Sequence, residues 1–266
     1  MATTGRVISR GLTLGDQALE RTGELFATLL EGLRRSWDVR QWWREFVEQC
    51  WFIAKVTAWP VFLVALPLGA TIALHVGDIS RQIGAQSATG SAVVFGLVRE
   101  VAPLASALLI SGAAGSAMAA DMGARRIREE LDALEVMGIN PVHRLVTPRL
   151  WAGALVGVLL VSLIILAGVA GGFYFNVIRQ GVSPGAYFDG ATLLLQPTDL
   201  LVTLFKAGLF GMIAAIVACY IGMTCERGPT GVGRAVNVSV VVATLLIFTA
   251  NYVITTLYLV LVPPRI

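Results

Sequence analysis

The chain has little charge and almost no lysine or histidine. Only 14% of its 266 residues are charged, lysine occurs only at positions 55 and 206, and there are two histidines. Neither lysine completes a G-x-x-x-x-G-K-[ST] loop, so nucleotide hydrolysis of that kind is not expected on this chain. No H-E-x-x-H pair and no nucleophile elbow is present, which leaves an intramembrane hydrolase or acyltransferase with little support.

Cysteine is also scarce and has no metal-ligand spacing. Cys50, Cys219 and Cys225 are predicted to be free thiols in apolar surroundings. We therefore expect no metal site and no cofactor on this chain. The first fifteen residues lack an apolar stretch with a cleavage site, so no cleavable signal peptide is expected. No internal repeat of the kind that marks many secondary transporters is visible.

Apolar residues are abundant instead, at 56% with a mean hydropathy of +0.75, which is typical of a multi-pass membrane protein. About 20 apolar residues cross a hydrocarbon core of about 30 Å as a helix. The sequence predicts an all-α fold with five such spans. They lie between Lys55 and Asp78, from 91 to about 123, between Arg149 and Arg179, from about 200 to 223, and between Arg234 and Arg265.

Residues 1–50 are predicted to form a cytoplasmic N-terminus with one or two interfacial amphipathic helices, and residues 51–266 the transmembrane domain. One apolar stripe is interleaved with charge, and several tryptophans stand among arginines, a composition typical of the membrane–water interface. The stripe comprises Leu19, Leu25, Phe26, Leu29, Leu30 and Leu33, and the aromatic residues are Trp37, Trp42, Trp43, Phe46 and Trp51.

Ionisable residues occur within or beside the predicted spans. Arg99 and Glu100 lie about a third of the way into the second span, Asp121 ends it, and Lys206 lies in the fourth. Such groups are costly in lipid and face protein or a cavity, so Asp121 and Lys206 are predicted to be buried charges. Two interpretations of Arg99 and Glu100 remain open: an ion pair that locks neighbouring helices, or a polar point in a substrate cavity. In the third span, Gly153 and Gly157 have the spacing of a helix-packing face.

A polar stretch between the second and third spans, residues 121–149, contains an amphipathic helix at about 125–137. Ile127, Leu131 and Leu134 share one face, and Gly138 and Pro141 mark its end. The helix either simply connects two spans or docks a cytoplasmic partner.

The orientation is predicted from lysine and arginine. Eight lie in the segment up to Lys55, five in 121–149 and two in 226–234, against five on the other side. The N-terminus is therefore expected inside and the C-terminus outside.

Five short motifs follow one another along the chain. They are R-E-V-A-P at 99–103, E-L-D-A-L-E-V-M-G-I-N-P at 130–141, L-V-T-P-R at 145–149, Lys206 with Phe210-Gly211, and G-P-T-G-V-G-R-A at 228–235. In this order they resemble the motifs of the MlaE/YrbE permeases, over roughly residues 40–260. The loop and the tryptophan-rich N-terminus look most like actinobacterial YrbE subunits of Mce lipid-import systems. Ala102, Asn140 and Asn251 depart from the common Gly, Asp and Asp.

The resemblance implies a permease subunit of an ABC transporter that moves lipid in the inner membrane, by import. A cytoplasmic P-loop ATPase, which holds ATP and Mg, would bind a coupling helix at 125–137. A sister YrbE-type permease would form a heterodimer, and MCE-domain proteins would form a lipid conduit. Nucleic acid is not an expected partner. The implied coupling residues are Arg128, Glu130, Leu131, Leu134 and Met137, and Arg99 and Glu100 match a polar pair near the lipid cavity.

The residues alone leave two other functions open. A stand-alone secondary transporter would use Glu100, Asp121 and Lys206 as ion-coupling groups, and a membrane scaffold would not transport at all. The sequence does not identify the lipid, since fatty acid, sterol, phospholipid and mycolic-acid-derived substrates all fit an apolar cavity.

Overall fold

The computed structural model describes residues 20–34, 36, 39–84, 89–185, 187–189 and 196–261. Regular structure in these ranges is entirely helical, and five helices are long and apolar enough to span a membrane. The predicted all-α fold with five spans is therefore confirmed. Residues 1–19 and Trp37, which belong to the predicted N-terminal segment, lie outside the described residues.

Besides residues 184–185 and 187–189, which are also helical, seven helices of seven or more residues follow one another along the described ranges. They are α1 (residues 20–34), α2 (Val39–Gln82), α3 (Thr89–Ile127), α4 (Glu130–Val136), α5 (Val142–Arg179), α6 (Pro197–Met223) and α7 (Pro229–Leu261). The spans are α2, α3, α5, α6 and α7. Within α3, wider π turns occupy Leu97–Val101 and Ile110–Gly115, and π turns also begin and end α5.

The first span is longer than expected. The tryptophan-rich segment predicted as a separate interfacial helix belongs to α2, which runs unbroken through residues 50 and 51. No glycine or proline occurs between Val39 and Trp59, so nothing in the sequence interrupts the helix there. Pro60 and Pro67 both lie inside the helix and do not end it.

The amphipathic character of α1 is visible in its packing. Leu25, Leu29 and Leu33 pack against a cluster of buried side chains at one end of the bundle, whereas Phe26 and Leu30 are exposed. Residues spaced by four share a helix face, which explains the first group. One face of α1 thus packs against the bundle, and another face exposes apolar side chains.

Glycines let α5 pack closely against α6. A Cβ atom on Gly153 would lie 2.6 Å from the Gly211 carbonyl oxygen, and one on Gly157 would lie 2.6 Å from that of Ala207. Real Cβ atoms are not found this close to backbone, so only glycine permits this helix spacing. The predicted packing face of Gly153 and Gly157 is confirmed.

Polar contacts define the two ends of the bundle. At the end that carries α4, the Tyr220 hydroxyl donates to Glu24 of α1 at 2.7 Å, and Arg126 donates to the Cys225 carbonyl oxygen at 3.1 Å. At the opposite end, Arg81 of α2 donates to the Gln180 carbonyl oxygen at 2.8 Å. These ends are called the α4 end and the far end below.

Candidate functional site

A proline shapes the part of α3 that carries Arg99 and Glu100. Pro103 has no backbone N–H, and its ring would clash with the Arg99 carbonyl in a regular α-helix. The π turn at Leu97–Val101 widens the helix at this point. The Arg99 carbonyl, which receives no α-helical hydrogen bond from Pro103, lies 3.4 Å from Lys206 Nζ and accepts a hydrogen bond from it.

Glu100 is the centre of a polar network that joins three spans. Lys206 Nζ of α6 lies 3.2 Å from Glu100 Oε1, and Asn251 Nδ2 of α7 donates to Glu100 Oε2 at 3.1 Å. The Thr255 hydroxyl lies 2.7 Å from Lys206 Nζ and 3.2 Å from Glu100 Oε1. The Lys206 side chain is 2% exposed and that of Glu100 is 37% exposed. The lysine is therefore enclosed, while the carboxylate reaches an open surface.

Arg99 does not pair with Glu100 but lies against aromatic rings. Its guanidinium carbon is 5.0 Å from the centre of the Phe95 ring and 4.7 Å from that of Tyr258. The Tyr258 hydroxyl donates to Asp199 at 2.8 Å, which fixes one of these rings. Within the described ranges, the Arg99 guanidinium forms no hydrogen bond and no ion pair. Its N–H donors remain available.

Asp121 was predicted as a buried charge, and the structure corrects this. The Asp121 side chain is 40% exposed, and the buried charge is its partner Arg149, which is 2% exposed. Arg149 Nη2 lies 2.7 Å from Asp121 Oδ2, and Nη1 donates to the Leu145 carbonyl oxygen at 2.8 Å. The prediction identified a charge near the end of α3. The residue that is buried there is its ion-pair partner from α5, Arg149.

The predicted helix at 125–137 is broken in the middle, a second correction. Glu129 has a φ of 58°, which is left-handed backbone and separates α3 from α4. The break lets Glu130 accept hydrogen bonds from Arg128 at 2.7 Å and Arg125 at 3.4 Å. Arg227, in the turn between α6 and α7, lies 3.1 Å from Glu129 and 3.2 Å from Asp132.

The break also turns the apolar face of α4 inward. Leu131 is 6% exposed, and both Leu131 and Leu134 pack in the cluster that α1 covers. Leu131 and Leu134, which the resemblance implies as coupling residues, therefore pack against this chain's own side chains. Val136, at 90% exposed, and Met137, at 63%, are the apolar side chains that α4 and its C-cap leave open.

The end of α4 has the geometry expected from Gly138. Gly138 has a φ of 74°, and its N–H donates to the Glu135 carbonyl, while that of Ile139 donates to Leu134. This pair of bonds is the Schellman arrangement. Asn140 then caps α5, because its Oδ1 accepts hydrogen bonds from the next backbone N–H groups, and its Nδ2 donates to Glu31 at 2.7 Å.

At the far end, Tyr187 closes a small aromatic cluster with Phe173 and Phe188. Its hydroxyl donates to the Val169 carbonyl oxygen at 3.3 Å. Burial raises the pKa of Tyr187 to about 12. At the α4 end, burial raises the pKa of the free Cys225 thiol and so disfavours its thiolate form.

Sequence reasoning missed the partners of the charged residues it had found. Asn251 was noted only as a departure from a common aspartate, and neither Thr255, Tyr258 nor Arg227 was singled out. Asn251, Thr255 and Tyr258 are spaced by four and three residues in the fifth span. This spacing is the sequence signal that places these three polar residues on one face of the helix.

Five apolar helices long enough to span a membrane, with a polar network between three of them, define a multi-pass membrane protein. Comparison with known proteins makes the class more specific. The family model described as Permease MlaE matches residues 46–257, so the chain belongs to the MlaE permease family of ABC transporter permeases. The resemblance found in the sequence is thereby confirmed at the level of the family.

Named relatives agree with this assignment. A probable ABC transporter permease protein of Rickettsia felis is 35% identical over 190 residues, 71% of this chain and 73% of the relative. One of Synechocystis is 31% identical over 231 residues, 87% and 85% of the two chains. The intermembrane phospholipid transport system permease protein MlaE of Haemophilus influenzae is 28% identical over 240 residues, 90% and 91%.

Proposed function

We propose that this chain is the membrane subunit of an ATP-driven transporter of lipids. The observation that carries the proposal is the partly exposed carboxylate of Glu100, held by Lys206 and Asn251 between three of the spans. An apolar path with a few placed polar groups suits an amphiphile better than an ion or a sugar. The Haemophilus influenzae relative, whose name specifies phospholipid transport, supports the same substrate class.

Arg99 is proposed to contact the lipid head group. Two aromatic rings hold its guanidinium in place, yet its N–H donors have no acceptor in the described residues. A guanidinium with free donors matches a phosphate or carboxylate, to which it donates two parallel hydrogen bonds. The proposed substrate is therefore an amphiphile with an anionic group, a phospholipid or a fatty acid.

Energy for transport is proposed to come from a separate P-loop ATPase, which binds ATP and Mg. It would dock at the α4 end. Val136 and Met137 are large apolar side chains exposed on α4 and its C-cap, and they suit an apolar groove on the partner. Leu131 and Leu134 would contribute indirectly, because they pack α4 against the bundle. The Arg128–Glu130 ion pair would lie at the edge of the contact.

The proposed arrangement places the α4 end and the N-terminus in the cytoplasm and the C-terminus outside, in the inner membrane. The excess of basic residues at the α4 end supports this orientation. A sister YrbE-type permease is proposed to complete the transmembrane unit as a heterodimer, and MCE-domain proteins to meet its outer side. Import is the proposed direction. These partners and the direction rest on the sequence resemblance.

Co-purification tests the docking proposal. The tagged chain is isolated from native membranes in mild detergent, and the proteins bound to it are identified by mass spectrometry. We expect a P-loop ATPase, and we expect Val136→Asp to lose it, because a carboxylate would enter an apolar contact. Ile83→Asp, at an exposed aliphatic position of the far end, is the matched control, with Ile83 72% exposed against 90% for Val136. An ATPase retained by Val136→Asp, or absent from the wild type, contradicts the assignment.

Bound lipid tests the role of Arg99. Arg99→Gln should reduce the anionic lipid that co-purifies with the protein, whereas Arg44→Gln should not. Arg44 is a surface arginine whose side chain is 94% exposed. Equal amounts of anionic lipid in both variants would refute the head-group contact.

A further inference from the structure

The turn between α6 and α7, residues 224–228, contacts the start of α4. Its Arg227 lies 3.1 Å from Glu129, the residue at the break before α4, and 3.2 Å from Asp132 of α4 itself. In the other direction, Arg126 of α3 donates to a backbone carbonyl oxygen of the turn at 3.1 Å. This α6–α7 turn is therefore bound to both α3 and α4.

Glycines of the motif G-P-T-G-V-G-R-A shape this turn. Gly228, which directly follows Arg227, has a φ of 121°, a left-handed backbone conformation that favours glycine. A Cβ atom on Gly231 would overlap the Glu226 carbonyl oxygen, so only glycine lets the first turn of α7 pack this closely against the residues before it. The motif is thus explained by a tight turn that carries Arg227.

The helices joined at this point are the helices of the Glu100 network. α3 carries Glu100, α6 carries Lys206, and α7 carries Asn251. α4 takes no part in that network, but it is attached to all three helices. It follows α3 directly after the break at Glu129, and Arg227 connects it to the turn that joins α6 and α7. A displacement of α4 would therefore act on both sides of the Glu100–Lys206 ion pair.

The contacts of Arg227 are weak while they face water. The side chains of Arg227, Glu129 and Asp132 are between 58% and 63% exposed. Exposed ion pairs add little to stability, because water screens the charges. Asp132 and Val136 are four residues apart and share one face of α4. A protein that covers Val136 would therefore lie beside the ion pair, exclude water from it and strengthen the attraction.

We propose that Arg227 is a positioning residue that links α4 to α6 and α7 when the ATPase docks. Through Glu129 and Asp132, a displacement of α4 is transmitted to the two helices that carry Lys206 and Asn251. This inference rests on the proposed function, since it requires an ATPase at the α4 end. Loss of the link should leave docking and ATP hydrolysis in place and reduce the amount of lipid moved per ATP.

The test measures lipid movement and ATP hydrolysis in the same sample. The complex isolated from native membranes is placed in phospholipid vesicles, and the movement of nitrobenzoxadiazole-labelled phosphatidylglycerol is divided by the ATP hydrolysed in the same time. Arg227→Gln should lower this ratio by roughly two- to tenfold, the factor expected from two weak ion pairs, and Arg227→Lys should restore much of it. Arg234→Gln is the matched control and should keep the wild-type ratio. Arg234 is 71% exposed, and its ion pair with Glu226 does not involve α4.

A cycle of variants separates the link from a direct contact between Arg227 and the ATPase. The double variant Glu129→Gln/Asp132→Asn removes both negative charges and should lower the ratio as much as Arg227→Gln does. Adding Arg227→Gln to the double variant should then have no further effect. A further loss, with less ATPase co-purified, would show that Arg227 contacts the ATPase itself and would overturn the proposal.

Two other outcomes are decisive, and they are distinguishable. A complex in which Arg227→Gln leaves the ratio of lipid moved to ATP hydrolysed unchanged contradicts the link alone. A wild-type complex that contains no P-loop ATPase, or that moves no lipid, contradicts the proposed function and with it the role of Arg227.

Discussion

The ion pair between Glu100 and Lys206 predicts an unequal response to the removal of either charge. Glu100→Gln leaves the lysine, whose side chain is 2% exposed, without a carboxylate inside the bundle. Lys206→Met leaves a carboxylate that is 37% exposed and still accepts hydrogen bonds from Asn251 and Thr255. The first change should therefore destabilise the protein more than the second.

The magnitudes follow from the burial of each remaining group. An uncompensated buried charge costs about 3–5 kcal/mol, which applies to Glu100→Gln. The cost of Lys206→Met should be about 1–2 kcal/mol, since the remaining carboxylate reaches an open surface and keeps two donors. The double variant removes both charges and replaces the lysine by an apolar chain of similar length. It should be more stable than Glu100→Gln alone, with a coupling of about 2 kcal/mol.

Unfolding in mixed micelles with increasing sodium dodecyl sulfate measures these free energies. Larger destabilisation by Lys206→Met than by Glu100→Gln would refute the burial argument, and so would a double variant less stable than both single ones. Lipid transport by the double variant then separates the two roles of the network. Lost transport in a stable double variant assigns Glu100 and Lys206 to the substrate path, and normal transport assigns them to helix locking.

Three further results are expected. Gly153→Ala should cost about 1–3 kcal/mol in the same unfolding assay, because its Cβ would meet backbone of the facing helix, whereas Gly112→Ala, with open space around it, should be nearly neutral. Asp121→Asn should cost about 2–4 kcal/mol, because the buried Arg149 guanidinium would lose its counter-charge. Glu226→Gln, in an exposed ion pair, should cost under about 0.5 kcal/mol. The pKa of Tyr187, about 12 when folded against an ordinary 10, predicts stability that is complete below pH 10 and is lost as pH rises towards 12. Thermal midpoints from pH 9 to 11 should fall less steeply in Tyr187→Phe. Equal slopes in the two proteins, or equal costs within either matched pair, would contradict the corresponding argument.

Span number and glycine packing were predictable because each depends on local composition. Apolar runs long enough to cross a membrane are visible in any single chain, and Gly153 and Gly157 reveal a close contact through their spacing. The helix stop at Gly138 is equally local. These features do not require knowledge of which helices are neighbours.

Partners across helices were not predictable, because they depend on the order in which the spans pack. Glu100 forms an ion pair with Lys206 of another helix and not with its sequence neighbour Arg99, since adjacent helical residues point in different directions. The inward position of Leu131 depends on the left-handed backbone at Glu129, a residue type that rarely adopts it. An unbroken amphipathic helix was therefore the natural but wrong expectation.

The structure does explain two departures from the family pattern. Asn140 and Asn251 stand where aspartate is common, and each donates its amide N–H to a carboxylate, Glu31 and Glu100 respectively. Aspartate at either position would face a second negative charge at hydrogen-bond distance. The two substitutions thus share one electrostatic cause at opposite ends of the molecule.

The length of α2 has a mechanical consequence. Its 44 residues form a rod of about 66 Å, more than twice the thickness of a hydrocarbon core of about 30 Å. A rotation of about 10° around the middle of such a rod displaces each tip by about 6 Å in opposite directions. A displacement of the end near Trp42 would thus be accompanied by a displacement in the opposite direction at Arg81, on the other side of the membrane.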